Sequence, residues 1–299
     1  MGKTKIQWAD AVWNPITGCT KVSDGCKHCY AERMASRLGG RAGYPKNDPF
    51  AVTLHANKLD EPLRWREPRM IFVCSMGDLF HEDVKEGWID EVIQVMKEAK
   101  QHTFLILTKR VRRMFEYVFS SKEAISLPNV WLGTSVENQK TADLRIQILL
   151  QIPAARRFIS CEPLLGPVDL YQAVYKTLRG SYYQIAPKFS WGNKKGIDWV
   201  ICGGESGPGA RPMNRTWAKG LREQCQKAKV PFFFKQWGEW IPSREIDETM
   251  SKQVDWKMTN QWESEDDTDI YWQVGKQLAG RKLDGLIWDE FPGESVVGE

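Results

Sequence analysis

Three cysteines crowd into one short loop. Residues 13–33 read WNPITGCTKVSDGCKHCYAER, which sets Cys19, Cys26 and Cys29 in a CX6CX2C arrangement just ahead of a helical pattern. Pro15, Gly18 and Gly25 interrupt regular structure there, so the thiols belong to a loop. Three thiolates can hold three corners of a 4Fe-4S cluster and leave the fourth iron open, whereas a purely electron-transferring cluster normally has four protein ligands. An open iron can bind substrate or cofactor. Zinc is the alternative occupant, with His28 or a remote residue as fourth ligand. Against it, only one CX2C pair exists, and adjacent His28 and Cys29 ligate one tetrahedral ion together with difficulty. A third reading, three unrelated core cysteines, fits poorly with so polar and Gly-rich a loop.

The chain has seven cysteines in 299 residues. Cys74, Cys161 and Cys202 lie in short apolar runs and Cys225 in a helical pattern, so they need a separate explanation from the loop trio. In a compartment that keeps thiols reduced, such usage points to metal or radical chemistry rather than a disulfide frame. Residues 1–11 carry basic residues but no apolar core of the kind a secretory signal requires, so the expected location is the cytoplasm. A mean hydropathy of -0.47, with no apolar run near the ~18 residues of a membrane span, excludes a membrane protein.

The elements that must position these residues alternate. Apolar, β-branched-rich runs at 70–74, 103–107, 130–133, 157–161, 199–202 and 231–234 fit strands buried on both faces. Helical patterns lie between them. Residues 88–100 put Ile89, Val92, Ile93, Met96 and Ala99 on one side; Val111, Met114, Phe115, Val118 and Phe119 form a second stripe, and Leu144, Ile148, Leu149 and Ile152 a third. Weaker strand candidates at 11–13 and 51–55 bring the total to about eight. The expected class is α/β, a partial to near-complete (β/α) barrel with parallel strands, with a flavodoxin-like open sheet as runner-up.

Charge divides the chain. From residue 243 onward six Lys or Arg face fourteen Asp or Glu, a balance of -8, so the first 242 residues carry +12 of the net +4. The expected organisation is a barrel domain over 1–242, with a basic insert at 176–195, and an acidic linker with a C-terminal tail over 243–299 packed on it. The insert holds five cations, four aromatics and no acid. Phosphates need Lys and Arg while bare bases stack on aromatics, so Lys188, Trp191 and Lys194, with Arg110, Arg112 and Arg113 of the LTKRVRR run, are candidates for contacting nucleic acid. A solvated crossover loop is the bland alternative. Among the four histidines there is no HExxH pair, and neither a nucleophile elbow nor a dinucleotide fingerprint occurs, which leaves hydrolase and hydride-transfer readings little support.

The sequence resembles the phage-associated branch of the radical S-adenosylmethionine superfamily, usually filed under an uncharacterised phage domain. The likeness runs through WNPITGCTKVSDGCKHCYAER, CSMGDLFHE (74–82), LTKR (107–110), WLGTSVEN (131–138), ISCEPLLGP (159–167), WVICGGESGPGARPM (199–213), FFFKQWGEW (232–240) and GKQLAGRKLDGLIWDEFP (275–292). One departure is that most of the superfamily has three residues between its first two cysteines, and this chain has six.

The resemblance implies a radical SAM barrel with a C-terminal extension, in which a 4Fe-4S cluster on Cys19, Cys26 and Cys29 binds S-adenosyl-L-methionine and an external one-electron reductant starts cleavage to a 5′-deoxyadenosyl radical. Barrel sites lie at the C-terminal ends of strands, which makes Ser75, Asp78, Thr108, Lys109, Arg110, Ser135, Glu137, Asn138, Glu162, Gly203, Gly204 and Glu205 candidates facing one opening. Lys109, Ser135, Glu137 and Asn138 suit the methionyl carboxylate and ribose, and His28 the adenine side. Cys161, beside Glu162, is the candidate hydrogen-atom donor, with small apolar filling as the bland alternative. Gly203–Gly209 reads either as a cofactor or substrate contact or as a tight turn.

The branch implies DNA hypermodification in bacteriophage: an isomerase rearranging an amino-acid-modified thymidine, in the cytoplasm of an infected host. Two competitors stand beside it, a photoproduct repair lyase and a nucleic-acid-binding module with a structural metal loop. A radical enzyme acting on a small amino acid or peptide is a further option.

Overall fold

The computed structural model describes residues 4, 6–120, 127–173, 196–264 and 269–293. The basic insert at 176–195, and with it Lys188, Trp191 and Lys194, lies outside them. Seven strands form one sheet: β1 (Ala11–Trp13), β4 (Met70–Val73), β5 (Thr103–Thr108), β6 (Val130–Ser135), β7 (Arg156–Cys161), β8 (Trp199–Gly203) and β9 (Phe232–Gln236), in that spatial order. The β1–β4, β4–β5, β5–β6 and β8–β9 pairs are parallel. Spatial order follows chain order without a reversal, whereas a flavodoxin-like sheet reverses at a switch point. β1 and β9 are the end strands of this open sheet, β9 being bridged antiparallel by the tail at Phe233 and Asp289, and the class is α/β with a partial (β/α) barrel.

The expected strand at 51–55 is not part of this sheet. It forms β3 (Thr53–Leu54), which pairs antiparallel with β2 (Ile16–Thr17). The two-residue β2–β3 ladder, Ile16 opposite Leu54 and Thr17 opposite Thr53, braces the loop that follows β2 instead of adding a parallel strand.

By internal contacts the chain divides into two compact units, Met1–Ser135 with Gln147–Phe158, and Val136–Ile146 with Ile159–Glu299. The acidic segment and tail fall in the second unit with β8 and β9. In the first unit, helices α1 (Tyr30–Leu38), α2 (Glu86–Glu98) and α3 (Val111–Ser120) accompany the strands. Helix α2 buries Ile89, Val92, Ile93 and Met96, the i, i+3, i+4, i+7 stripe of a core-facing helix, each side chain contributing about 1.5–3 kcal/mol by leaving water. Past its end, Asn129 Nδ2 donates to the carbonyls of Met96, Ala99 and His102 at 3.0–3.4 Å, pairing acceptors that a helix terminus leaves open.

Two helical stripes differ from the sequence expectation. In α3 the buried residues are Val111, Met114 and Tyr117, and Phe119 is 60% exposed. Tyr117 turns inward because its hydroxyl donates to Asp90 Oδ1 on α2 at 2.6 Å. In α4 (Gln139–Leu149) Ala142, Arg145 and Ile146 are buried and Leu144 is exposed. The inward face rotates toward Arg145 because that guanidinium reaches the wholly buried Glu137.

The second unit also contains α5 (Arg215–Ala228), whose N-cap Asn214 accepts from Thr216 N–H at 2.8 Å. A three-stranded antiparallel sheet follows, of β10 (Trp240–Pro242), β12 (Ile270–Gln273) and β11 (Gln261–Glu263), then a hairpin of β13 (Lys282–Leu283) and β14 (Leu286–Ile287). No helix of the described residues is long and apolar enough to cross a membrane.

Candidate functional site

The cysteine loop leaves β2 at Gly18. With φ at +93°, and Ala51 O only 2.2 Å from where a Cβ would stand, that position accepts glycine alone. Gly18 N–H donates to Met76 O at 3.0 Å and Cys19 N–H to Phe50 O at 3.1 Å, so the loop starts from a fixed backbone. Cys29 is the residue immediately before α1. Thus one end of the loop is pinned by a strand bridge and the other by a helix.

The three thiols sit in different fields. Burial is the largest influence on Cys19 and raises its pKa to about 11; the Asp78 carboxylate adds to this, and the Arg110 guanidinium opposes it. Burial also acts to raise Cys26, but the Lys109 cation and hydrogen bonds from Val22 and Ser23 outweigh it, and the net shift is downward. Among the described residues no three His, Cys, Asp or Glu side chains are already gathered at metal-ligand spacing. The donor set nonetheless fits an iron–sulfur cluster: three soft sulfur donors on one loop, with Lys109 and Arg110 supplying positive charge beside Cys26 and Cys19 for an anionic thiolate-bound group.

Two strand ends brace the loop. Asp78, in the turn after β4, accepts from Thr108 Oγ1 at 2.7 Å, Phe80 N–H at 3.0 Å and Lys109 N–H at 3.3 Å. Ser75 Oγ donates to Asn14 Oδ1 at 3.2 Å, and Met76 N–H to the same oxygen at 3.0 Å. His81 is buried, and Asp83 N–H donates to its Nδ1, so Nε2 carries the proton and donates to Thr20 Oγ1 at 2.9 Å. Burial, then the Arg110 charge, lowers the His81 pKa and keeps the ring neutral.

In the second unit Glu162, directly after β7, accepts from Lys235 Nζ on β9 through both carboxylate oxygens, at 2.7 and 2.8 Å. Gln236 Nε2 donates to Glu162 Oε1 and to Gly204 O, each at 3.3 Å, and its Oε1 is buried with no donor among the described residues. Gly203, the last residue of β8, leaves room between them: a Cβ there would meet Glu162 Cδ and Lys235 Cβ at 3.5 Å. Gly204 is closer packed, its notional Cβ only 1.9 Å from Trp237 O.

A family model described as "Protein of unknown function (DUF5131)" matches residues 3–292. The chain belongs to the DUF5131 family. No curated protein matches it. Among solved structures it is similar to a double mutant of spore photoproduct lyase with bound AdoMet and dinucleoside spore photoproduct, at 11% identity over 91% of this chain and 70% of that one, with a TM-score of 0.44. A single mutant of the same enzyme gives 11% identity with the same coverage and a TM-score of 0.40. Its complex with dinucleoside spore photoproduct gives 10%, 86% and 66%, and 0.36.

The sequence candidates of this DUF5131 chain differ in burial and in partners. Arg110, grouped by sequence with nucleic-acid contacts, is buried at the cysteine loop, because Glu82 and Asp78 neutralise it there. Arg113 donates to the Val84 carbonyl, and Arg112 stays exposed on α3. Cys161 lies wholly in the core, within electrostatic range of Cys202 and of Cys225 on α5, and burial raises its pKa to about 12. Glu205 accepts from Arg211 through Nε at 2.9 Å, Nη2 at 2.7 Å and the backbone N–H at 2.9 Å, and Gly207 N–H donates to Glu239 Oε1 at 2.7 Å.

Other sequence candidates keep strand-end positions. Ser135 ends β6, buried, and Lys109 and the half-buried His28 stay with the cysteine loop. Asn138 caps α4, accepting from Thr141 N–H at 3.1 Å, while Glu137 pairs with Arg145 at 3.4 Å. Sequence reasoning missed Asn14, Thr20, His81, Glu82, Lys235 and Gln236. The KQ of FFFKQWGEW, polar residues ending an otherwise apolar strand, was the available signal for the last two.

Proposed function

We propose that this protein is a radical S-adenosylmethionine enzyme that rearranges an amino-acid-modified thymidine in DNA. The observation that carries the reading is the cysteine loop: three thiols between a strand bridge and a helix, with Lys109 beside Cys26 and Arg110 beside Cys19. Cys19, Cys26 and Cys29 would hold a 4Fe-4S cluster, which with S-adenosylmethionine and an external one-electron reductant supplies a carbon radical able to remove an unactivated hydrogen. The chain's own part is to bind, orient and shield.

The Glu162–Lys235 pair supports an amino-acid substituent on the substrate. A zwitterionic α-amino acid can exchange with such a pair at no net change of charge, its ammonium going to Glu162 and its carboxylate to Lys235. Both side chains are less than a fifth exposed, so each charge needs a partner with or without substrate. The Gln236 amide, adjoining the pair, fixes the carboxylate that would take the ammonium. The +12 charge of the first 242 residues supports a polyanionic carrier for the modified base, which must be flipped from a duplex or presented single-stranded.

The test is anaerobic incubation of reconstituted protein with reductant, S-adenosylmethionine and amino-acid-modified DNA, followed by nucleoside chromatography and mass spectrometry. A modified nucleoside of unchanged mass and new retention time is expected. Splitting of a thymine photoproduct, with no action on modified thymidine, would replace the isomerase by the repair lyase.

A further inference from the structure

The six-residue span between Cys19 and Cys26 is three longer than the spacing usual in the superfamily that the sequence resembles, and a longer loop leaves its first ligand less determined. The structure supplies an external tie. Arg110, two residues past the end of β5 and only 6% exposed, reaches the loop with one face of its guanidinium. Nη1 donates to Cys19 Sγ at 3.2 Å, and Nη2 donates to Thr20 O at 3.2 Å and Thr20 Oγ1 at 2.8 Å. The rest of the group is held from behind, Nε by Glu82 Oε2 at 2.7 Å and Nη1 by Asp78 Oδ2 at 3.4 Å.

We propose that Arg110 is a positioning residue that clamps the CX6C loop, fixing Cys19 and Thr20 so that Cys19 is presented as a cluster ligand, and that its N–H···S hydrogen bond tunes the cluster; this second part rests on the reading given under Proposed function. The guanidinium is suited to the task because its planar fork addresses a thiol and a neighbouring carbonyl at once, which a point-charge ammonium on a flexible stem does not. Asp78 and His81 make the clamp rigid. Asp78 is itself fixed by Thr108, and the neutral His81 donates to the same Thr20 hydroxyl oxygen that Arg110 addresses. Two strand ends, β4 and β5, therefore converge on residues 19 and 20. Hydrogen bonds to cluster sulfurs are one of the means by which a protein sets reduction potential, and outer-shell partners of metal ligands typically change affinity ~10–100-fold when removed.

The test has one arm without the cluster and one with it. In the full-length apo protein, Arg110→Lys and Arg110→Met should raise amide hydrogen exchange in residues 19–29 and Cys19 alkylation by about tenfold, with exchange in α2 and β5 unchanged. Thr20→Val, an exposed-loop change that deletes one of the accepting oxygens, serves if both arginine variants lose their fold, and should give a smaller increase confined to the same segment. In reconstituted protein, Arg110→Lys should lower cluster occupancy at limiting iron and shift the midpoint potential downward in a titration followed by electron paramagnetic resonance. Wild-type exchange and alkylation in the variants that fold would overturn the clamp. Unchanged occupancy and potential in Arg110→Lys would overturn its action on the cluster. A wild-type protein that takes up no cluster would instead sink the functional reading, and the apo arm would still decide the clamp.

Discussion

Lys235 Nζ lies 2.7 and 2.8 Å from the two carboxylate oxygens of Glu162, joining the C-terminal ends of β9 and β7 across Gly203 of β8. Both residues stand where barrel enzymes present functional groups. Removing either partner leaves the other largely buried and unpaired, at a cost of about 2–3 kcal/mol for a site with this residual exposure.

On the proposed reading, Glu162→Gln and Lys235→Met should each lower kcat/KM on modified DNA by about 10–100-fold, because the two side chains would hold the charged ends of the amino-acid substituent. The charge-reversed double variant, Glu162→Lys with Lys235→Glu, should recover thermal stability without recovering KM. Steady-state kinetics together with thermal unfolding separate the two effects.

Gly18→Ala should be severe. The added methyl meets Ala51 O at 2.2 Å in a backbone conformation with φ at +93°, so the loop start must move; a loss of about 2–4 kcal/mol is expected. Differential scanning calorimetry should show the lower Tm, and iron uptake should fall with it, because Cys19 follows directly.

Stability should fall as pH drops below about 6.5 through His55. Burial, then the nearby Lys58 charge, lowers its folded pKa, and its Nε2 is 2.8 Å from Thr17 Oγ1. Above pH 6.5 the ring is neutral in both states and the full stability is present; below it the unfolded chain takes up a proton that the fold resists, until the lower folded pKa is reached. Chemical denaturation from pH 8 to pH 5 should show this slope, flattened in His55→Gln.

Asp284 anchors the β13–β14 hairpin to α5, accepting from Arg215 and Arg222 with Lys219 nearby. The three cations hold its carboxyl below the usual range despite the opposing effect of burial. Asp284→Asn keeps a residue that tolerates its φ of +54° and removes the charge. The expected loss is about 1–3 kcal/mol at neutral pH, vanishing as pH falls through the depressed carboxyl pKa, measured by denaturant titration.

DNA binding should weaken steeply with salt. If the basic insert contacts phosphates, Lys188→Ala with Lys194→Ala should reduce the slope of log K against log salt by about 1.4–1.8, the release of two counterions. Fluorescence anisotropy between 50 and 200 mM salt measures the slope, and an unchanged slope would assign the contacts elsewhere.

Period and apolarity made the sheet legible in the sequence, because strands buried on both faces must be continuous apolar runs and α2 must repeat at 3.6 residues. What stayed hidden depended on tertiary partners. Tyr117 displaces Phe119 from the inner face of α3 through a hydroxyl bond to Asp90, which no periodicity registers. Arg110 reads as one more cation in a basic run until Glu82, Asp78 and Cys19, all distant in sequence, are seen around it. The cysteine loop itself was legible because three candidate ligands share one short segment, whereas Glu162 and Lys235 are 73 residues apart and meet only in the fold.

The central claim is that Cys19, Cys26 and Cys29 together hold a cluster that enables reductive cleavage of S-adenosylmethionine. The most direct measurement is quantitation of iron, sulfide, zinc and 5′-deoxyadenosine in anaerobically reconstituted wild type and in the Cys26→Ala variant, with S-adenosylmethionine and dithionite present. About four iron and four sulfide per chain, with 5′-deoxyadenosine released by the wild type and abolished in Cys26→Ala, is the predicted result. One zinc per chain, no sulfide and no 5′-deoxyadenosine in the wild type would contradict it.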